Sequence, residues 1–207
     1  MLTVALPKGR LGSKVYKLLE KSGYACPEMD DDTRKLVLEN KDAGVRYLLV
    51  KPTDVPVYVE RGVADVGIAG KDILEESEAQ VYELMDLGFG KCRMAVAAPQ
   101  GYVENPDRTL RVATKFVKIA STHFAKKGRN IDIINLHGSI ELAPIVGLSD
   151  VIVDIVESGS TLRENNLVVI EEFMPISARF FANVSSYKFN ETEINKMLQC
   201  LKEAIDD

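Results

Sequence analysis

Residues 151–161 combine an apolar strand, two carboxylates and a turn containing serine, glycine and threonine. The run Val151–Val153 ends at Asp154, and Glu157-Ser158-Gly159-Ser160-Thr161 follows where a helix is predicted to begin. Free N–H groups at a helix start, added hydroxyls and a glycine that permits close approach favour phosphate binding. The preceding carboxylates would repel a bare phosphate but suit ribose hydroxyls or magnesium, which points to a phosphorylated sugar. Such turns are also common connectors in α/β proteins.

A second turn that could bind an anion follows the first predicted strand. Leu2–Leu6 is a short apolar run, after which Pro7-Lys8-Gly9-Arg10 leads into a helix. A strand, a basic glycine-containing turn and a helix again suit a phosphate. The alternative is that Lys8 and Arg10 are surface charges in water. The glycines that flank Val63–Ile68, including Gly70, permit close approach of either a ligand or a neighbouring element.

Hydrophobic periodicity predicts the elements that hold these turns. Helices are predicted after Arg10 and after Asp54, over Phe116–Lys127, on both sides of Val151–Ile155, and after Asn190. A hairpin is predicted through Asn40–Gly44. The predicted strands are Leu2–Leu6, Lys35–Glu39, Val45–Val50, Val63–Ile68, Cys92–Ala98, Leu110–Ala113, Ile131–Leu136, Val151–Ile155, Leu167–Ile170 and Ala178–Val184.

The order of these elements predicts an α/β protein with two lobes. Residues 91–173 alternate strands and helices as in a domain with a largely parallel sheet. We expect residues 1–90 and 174–207 to form a first lobe and residues 91–173 a second. The chain would then cross twice between the lobes, and the cleft between them is the default ligand site.

Composition excludes several classes of protein. With 26 Lys and Arg against 31 Asp and Glu, the net charge is −5, which argues against a broad nucleic-acid surface and for concentrated basic residues around a small anion. Cys26, Cys92 and Cys200 show neither disulfide nor zinc spacing. Neither a signal peptide nor a membrane-spanning run is recognisable, so we expect a cytoplasmic protein.

The residues around the phosphate turn resemble the signature of the ATP phosphoribosyltransferases, which open histidine biosynthesis. The signature residues in order are Glu141, Gly147, Ser149, Asp154, Ser158, Gly159, Thr161 and Leu162. Further blocks resemble the family in order along nearly the whole chain, namely Leu6–Leu11, Lys51–Pro56, Gly62–Ile68 and Gly90–Arg93.

This resemblance implies a two-lobed fold like that of the periplasmic-binding proteins of type II. It also implies transfer of a phosphoribosyl group from phosphoribosyl pyrophosphate to ring nitrogen 1 of the adenine of ATP. Pyrophosphate is released and magnesium is the cofactor, held mainly by the substrate phosphates. The competing interpretations are a solute-binding protein of the same fold that does no chemistry, and a phosphoribosyltransferase that uses another base.

The resemblance also implies roles for individual residues. The 5-phosphate would lie on the turn Glu157–Thr161, with Asp154, and also Asp150 and Glu157, on the sugar side. Lys51 and Glu141 are the candidate catalytic residues, although Glu141 could instead cap a helix near Ser139. The residues expected to bind the phosphates of ATP or pyrophosphate are Lys8, Gly9, Arg10, Lys51 and Gly70.

The length of the chain, compared with the long and short forms of the family, indicates which partners to expect. Long members of the family continue into a regulatory domain that binds histidine, whereas this sequence ends at Asp207 and is similar to the short form. Short forms need a regulatory subunit that resembles histidyl-tRNA synthetase. We therefore expect a homodimer within a hetero-oligomer, with neither a nucleic-acid nor a membrane partner and no histidine site on this chain alone.

Overall fold

The computed structural model describes residues 1–30 and 33–206. Asp31, Asp32 and Asp207 lie outside this described part and belong to the segments expected to form the first lobe. The chain divides into two units, one made of residues 1–90 and the segment from Ser177 onward, the other of Lys91–Ile176. The two units are therefore described in turn.

The secondary structure of the described residues alternates strands and helices. The strands are β1 (Leu2–Pro7), β2 (Val37–Asn40), β3 (Val45–Val50), β4 (Val66–Gly70), β5 (Val81–Asp86), β6 (Cys92–Pro99), β7 (Leu110–Thr114), β8 (Ile131–Asn135), β9 (Val151–Val156), β10 (Leu167–Ile176) and β11 (Ala178–Asn183). The helices are α1 (Arg10–Leu19), α2 (Val55–Glu60), α3 (Lys71–Ser77), α4 (Val117–Lys126), α5 (Leu142–Ile145), α6 (Ser160–Glu164), α7 (Val184–Phe189) and α8 (Glu191–Asp206). None of these helices is long and apolar enough to span a membrane.

The first unit is built on one sheet with helices on both faces. Its strand order is β2-β3-β1-β4-β11-β5, in which β1 runs parallel to both β3 and β4. The predicted hairpin is confirmed by the antiparallel pairing of β2 with β3. Helices α1 and α8 pack with the apolar side chains of β1 on one face, represented by Val4, Val15 and Ile194, while α2 and α3 cover the other.

The second unit is also a sheet between two helix layers. Its order is β10-β6-β9-β7-β8, with β7 parallel to β8 and β9. Helix α4 packs on one face through Ile119 and Phe124, and α5 and α6 pack on the other through Ala143 and Leu162. The expectation of a largely parallel sheet is wrong for β6, which is antiparallel to both β9 and β10. A loop without a crossover helix joins β6 to β7, so β6 does not have to run parallel to β7.

The two sheets share one arrangement of strands. The first parallel strand is central, the second lies on one side of it and the third on the other, as β3-β1-β4 and as β8-β7-β9. Two further strands then follow beside the third, β11 and β5 in one unit and β6 and β10 in the other. In such open α/β sheets a ligand crevice forms at the carboxyl ends of the strands where the order reverses. Each sheet therefore has its own candidate anion-binding site, at the carboxyl end of β1 in the first unit and at the carboxyl end of β7 in the second.

Several predicted boundaries differ from the structure. Strand β4 begins at Val66, because residues 63–65 form a bend and Val63 is 56% exposed. The expected lobe boundary after residue 173 lies inside β10, which continues to Ile176. Helices α3 and α7 and strand β5 were not predicted. Strand β5 is an edge strand with an irregular pattern of burial, so it lacks the alternation by which strands are identified.

Helix α1 packs directly onto the turn that carries Lys8. A Cβ atom at Gly12 would lie 1.7 Å from the carbonyl oxygen of Pro7, so no side chain fits there. The Ser13 N–H donates to the Gly9 carbonyl oxygen over 3.1 Å, which joins the helix to the turn. The close approach of backbone to backbone at Gly12 therefore sets the position of this basic turn.

We expect Gly12→Ala to lower the free energy of unfolding by about 3 kcal/mol, because the added methyl group can be accommodated only by moving backbone. Gly138→Ala is the matched control, since a Cβ there meets nothing within 4 Å. Urea unfolding followed by circular dichroism measures both variants. Equal stability of the two variants would contradict the close approach of α1 to β1.

Candidate active site

The predicted ATP-side residues lie at the carboxyl ends of the three parallel strands of the first unit. Lys8 directly follows β1, Lys51 directly follows β3, and Gly70 ends β4. The Lys8 N–H donates to the carbonyl oxygen of Val50 over 2.8 Å, so the ends of β1 and β3 are joined side by side. Lys8, Arg10 and Lys51 are all exposed. This edge thus presents cations to solvent from neighbouring turns.

A cavity of 480 Å³ opens beside this basic turn in the first unit. Its volume lies within the range of about 300–1,000 Å³ that small-molecule sites occupy. The Tyr16 hydroxyl is held by the backbone of Cys26, donating to its carbonyl oxygen at 3.0 Å and accepting from its N–H at 2.9 Å. The residues lining the cavity include Lys8, Gly9, Ser13, Tyr16, Met29, Asp30 and Thr33. Sequence reasoning missed those after Gly9: Tyr16 and Met29 are of types typical of core packing, and the polar Ser13, Asp30 and Thr33 belong to no recognisable motif.

The predicted phosphate turn lies at the carboxyl end of β9 in the second unit. Gly159 adopts the left-handed conformation, with φ 71° and ψ 12°, immediately before α6 begins at Ser160. A residue with a side chain would be strained there. The Ser158 and Ser160 hydroxyl oxygens lie 3.0 Å apart, and the Ser160 N–H donates to the Ser158 hydroxyl over 3.3 Å. Hydroxyls and backbone N–H groups are thereby gathered within one short turn.

Two arginines hold the backbone of this turn from the carbonyl side. Arg163 Nη1 donates to the Ser158 carbonyl oxygen at 3.0 Å, and Arg93 Nη1 donates to that of Glu157 at 3.1 Å. Arg93 is itself paired with Glu172 over 2.5 Å. Because the carbonyl groups are engaged, the turn can present its N–H groups and hydroxyls to an anion. Neither arginine was predicted as a site residue, although Arg93 belongs to one of the family-like blocks.

Asp154 lies in β9 on the side of the sheet that α5 and α6 cover. Side chains alternate along a strand, and Ile152 and Val156 both pack on that side. Its Oδ1 accepts a hydrogen bond of 2.8 Å from the Ile155 N–H. Its register partner on β6 is Ala95, which has a small side chain. The structure therefore brings Asp154 and the turn Glu157–Thr161 together at one strand end.

Asp150 is not brought together with them, although it was predicted on the sugar side. It precedes β9, whereas the phosphate turn follows it, so the length of a six-residue strand separates the two. Its carboxylate accepts from Arg111 Nη2 at 2.7 Å, from Arg111 Nε at 3.2 Å and from the Arg111 N–H at 2.9 Å. The Arg111 hydrogen bonds lower the pKa of Asp150. Asp150 thus has a structural partner far along the strand from the turn.

Glu141 lies beyond the carboxyl end of β8, the second parallel strand of this sheet. It directly precedes α5, and its side chain makes no capping hydrogen bond there. The hydrogen bond that a helix-capping role of Glu141 would require is therefore absent. Ser139, two residues earlier, has a φ of 49°, which is uncommon for a residue other than glycine, and its carbonyl oxygen accepts from the Leu142 N–H at 3.1 Å.

The carboxylates near the predicted phosphate turn could contribute oxygen ligands to a magnesium ion. No group of three or more His, Cys, Asp or Glu side chains that could hold a metal occurs within residues 1–30 and 33–206. Magnesium usually binds proteins through one or two carboxylates plus substrate phosphates, rather than in a cage of protein ligands. Asp154 and Glu157, beside the phosphate turn, fit that kind of site.

Comparison with known proteins identifies the family. The model of the HisG family, described as ATP phosphoribosyltransferase, matches residues 51–203. An ATP phosphoribosyltransferase of Brachyspira hyodysenteriae is 58% identical over 206 residues, covering 99% of this chain and 100% of that protein. The chain belongs to the ATP phosphoribosyltransferase family. Another ATP phosphoribosyltransferase, from Caldanaerobacter subterraneus, is 50% identical and covers 100% of this chain and 98% of its own length.

A solved structure supports the same relationship within the ATP phosphoribosyltransferases. The chain resembles one from the ATP phosphoribosyl transferase (HisG:HisZ) complex of Thermotoga maritima, with a TM-score of 0.88 and 39% sequence identity. The similarity covers 100% of this chain and 99% of that one. The predicted two-lobed α/β fold is confirmed. The interpretation as a solute-binding protein is not favoured by these relatives.

We expect Asp150→Asn to reduce stability and to leave the Michaelis constant for phosphoribosyl pyrophosphate unchanged. The folded-state pKa of Asp150 lies below its unfolded value of about 3.9, so its ion pair stabilises the fold above that pH. This stabilisation disappears as the pH falls through the folded-state pKa. The gap in melting temperature between the original protein and the variant should therefore narrow from pH 7 to pH 3.

Asp107→Asn, in an exposed loop, is the control for this comparison. Its melting temperature should follow that of the original protein at every pH. A higher Michaelis constant in Asp150→Asn with an unchanged melting temperature would instead indicate that Asp150 contacts the sugar.

Proposed function

We propose that this chain is the catalytic subunit of a short-form ATP phosphoribosyltransferase. It transfers the phosphoribosyl group of phosphoribosyl pyrophosphate to ring nitrogen 1 of the adenine of ATP and releases pyrophosphate. The observation that carries this proposal is the near full-length identity with relatives of that name. The position of Asp154 on the strand that leads into the turn Glu157–Thr161 supports the proposal, since a carboxylate can accept from ribose hydroxyls.

The proposed site for phosphoribosyl pyrophosphate is the carboxyl edge of the second sheet. The 5-phosphate would accept hydrogen bonds from the Gly159 N–H and from the Ser158, Ser160 and Thr161 hydroxyls, and it would replace the Ser158 hydroxyl as acceptor of the Ser160 N–H. Asp154 would bind the ribose hydroxyls, and Glu157 would be its neighbour on the sugar side. Asp150 is excluded from this proposed site, since its carboxylate is engaged by Arg111 beyond the other end of β9.

ATP or the leaving pyrophosphate is proposed to contact the carboxyl edge of the first sheet. Lys8, Gly9 and Arg10 follow β1, Lys51 follows β3, and Gly70 ends β4, so one phosphate chain could contact several of these turns. The 480 Å³ cavity beside Lys8 and Gly9 supports a small-molecule site there. Glu141, free of a capping role, is proposed to polarise the adenine amino group.

This reaction needs no nucleophile from the protein. Nitrogen 1 of the adenine attacks the anomeric carbon of the ribose, the bond between that carbon and the pyrophosphate oxygen breaks, and pyrophosphate leaves with the electron pair. The chain aligns the two substrates. It also supplies cations that stabilise the negative charge developing on the leaving group. Lys51 is the proposed catalytic cation.

Magnesium is the proposed cofactor, bound mainly by the substrate phosphates. Asp154 and Glu157 are the residues of this chain that would complete its oxygen ligands. When bound, the ion would neutralise charge on the pyrophosphate. The donors present therefore suit magnesium better than zinc, which prefers nitrogen and sulfur ligands.

We also propose a regulatory subunit that resembles histidyl-tRNA synthetase as the partner of this chain, with a homodimer of the chain inside a hetero-oligomer in the cytoplasm. The support is the structure from Thermotoga maritima, which is a HisG:HisZ complex and resembles this chain over its whole length. The net charge of −5 gives no reason to expect a nucleic-acid partner.

The proposed activity is tested by incubating the purified chain with ATP, phosphoribosyl pyrophosphate and magnesium, with and without the regulatory subunit. We expect phosphoribosyl-ATP, with a higher rate in the presence of the subunit. Chromatography with mass detection identifies the product and distinguishes addition to ATP from addition to another base. Absence of product from folded protein in both mixtures would overturn the proposal.

We expect the double variant Ser158→Ala with Thr161→Ala to weaken phosphoribosyl pyrophosphate binding roughly 10- to 100-fold, because hydrogen bonds to a charged group are lost. ATP binding should change much less. Calorimetry with each substrate measures the difference. The control is Ser185→Ala with Thr192→Ala, which removes two hydroxyls from exposed positions of the first unit. Equal losses for both substrates would argue against a 5-phosphate on this turn.

A further inference from the structure

Lys115 is a cation that directly follows β7, the central parallel strand of the second sheet. In the first sheet the residue directly following the central strand β1 is Lys8. Since the two sheets have the same strand order around their central strands, Lys115 and Lys8 occupy equivalent positions. Lys115 therefore lies at the edge where parallel α/β sheets bind ligands.

The register of β7 and β9 places Lys115 level with Asp154. Thr114 is the partner of Val153, so the next residues along these parallel strands are Lys115 and Asp154. Neighbouring strands lie about 4.8 Å apart. Asp154 and Lys115 thus belong to adjacent strand ends, with the phosphate turn farther along the chain from Asp154.

A fully buried threonine fixes the backbone at this point. The Thr114 hydroxyl donates to the Val153 carbonyl oxygen at 2.7 Å and accepts from the Phe116 N–H at 2.9 Å. One side chain therefore joins the end of β7 to β9 and also orders the two residues that follow. The position of Lys115 relative to β9 is set by interactions inside the core, while its own side chain is exposed.

The charge of Lys115 is available to a ligand. Its ammonium group lies 4.7 Å from the centre of the Phe116 ring, and in residues 1–30 and 33–206 it forms no salt bridge. Several other cations of the second unit are paired with carboxylates, as Arg93 is with Glu172, Arg111 with Asp150 and Lys127 with Glu171. A cation that rests on an aromatic ring keeps its charge for an incoming anion.

We propose that Lys115 binds the diphosphate group of phosphoribosyl pyrophosphate. Asp154 lies between the other two groups in connectivity: the predicted phosphate turn follows it at the end of β9, and Lys115 is level with it at the end of the adjacent β7. This matches the order of 5-phosphate, ribose and diphosphate in the substrate. A lysine ammonium on the diphosphate would help to position it and to stabilise the charge that accumulates when it leaves.

This inference rests on the proposed function, and its test separates the two. Lys115→Met removes the charge but retains an unbranched stem over Phe116, and Lys115→Arg retains the charge. Lys126→Met is the matched control, because Lys126 is an exposed lysine at the far end of α4. Calorimetry in the presence of magnesium measures binding of phosphoribosyl pyrophosphate, inorganic pyrophosphate and ribose 5-phosphate to each variant, and thermal unfolding checks that each is folded. Lys115→Gln replaces the Met variant if that variant is unfolded.

For Lys115→Met we expect phosphoribosyl pyrophosphate and pyrophosphate to bind roughly 10- to 100-fold more weakly, the range for a lost hydrogen bond to a charged group. Ribose 5-phosphate binding should stay within about twofold of the original, since this probe lacks the diphosphate that Lys115 is proposed to contact. Lys115→Arg should recover most of the affinity, and Lys126→Met should bind all three probes normally.

Unchanged pyrophosphate binding in Lys115→Met would overturn the inference, and so would an equal loss of ribose 5-phosphate binding, which would assign the cation to the 5-phosphate. If the original chain forms phosphoribosyl-ATP and Lys115→Met binds normally, only this inference fails. If the original chain neither binds phosphoribosyl pyrophosphate nor forms product, the proposed function itself fails.

Discussion

Parallel pairing around one central strand is the constraint on which both candidate sites depend. When β1 pairs in parallel with β3 and β4, the hydrogen-bond ladder forces the three following turns to the same edge. The pairing of β7 with β8 and β9 has the same consequence in the second unit. The connecting helices lie on opposite faces, so the gap between the central and third strands is left open. Side chains distant in sequence are thereby positioned without any contact between them.

Anion binding in a chain of net charge −5 requires cations that are not neutralised locally. In the second unit, Arg93 and Arg163 bind carbonyl oxygens of the phosphate turn. By binding these carbonyl oxygens, the two arginines fix the orientation of the peptide groups in the turn. Some cations therefore bind the backbone of the turn, and others are left to bind the substrate. This arrangement suits a reaction that depends on alignment and charge neutralisation.

Two aspartates near β9 illustrate how position decides the role of a residue type. Asp150 precedes the strand and is bound by Arg111, whereas Asp154 lies four residues later, beside the phosphate turn. A carboxylate held by a bidentate arginine has little capacity left for ribose hydroxyls. Asp154 accepts from its neighbouring Ile155 N–H and lies on the face of the sheet that α5 and α6 cover. The same chemical group thus stabilises the fold at one end of the strand and suits a sugar at the other.

Local pattern in the sequence was sufficient to predict most strands, the β2–β3 hairpin, the turn at Gly159 before a helix and the α/β class with two lobes. These features depend on periodicity, turn chemistry and helix starts within about ten residues. Only the tertiary structure decided the direction of β6, the arginines behind the phosphate turn, the partner of Asp150 and the place of Lys115 beside Asp154. Each of these depends on pairing between distant segments, as with Arg111 and Asp150, which are 39 residues apart. Strand direction and register arise from packing of the whole sheet, so no local stretch of sequence specifies them.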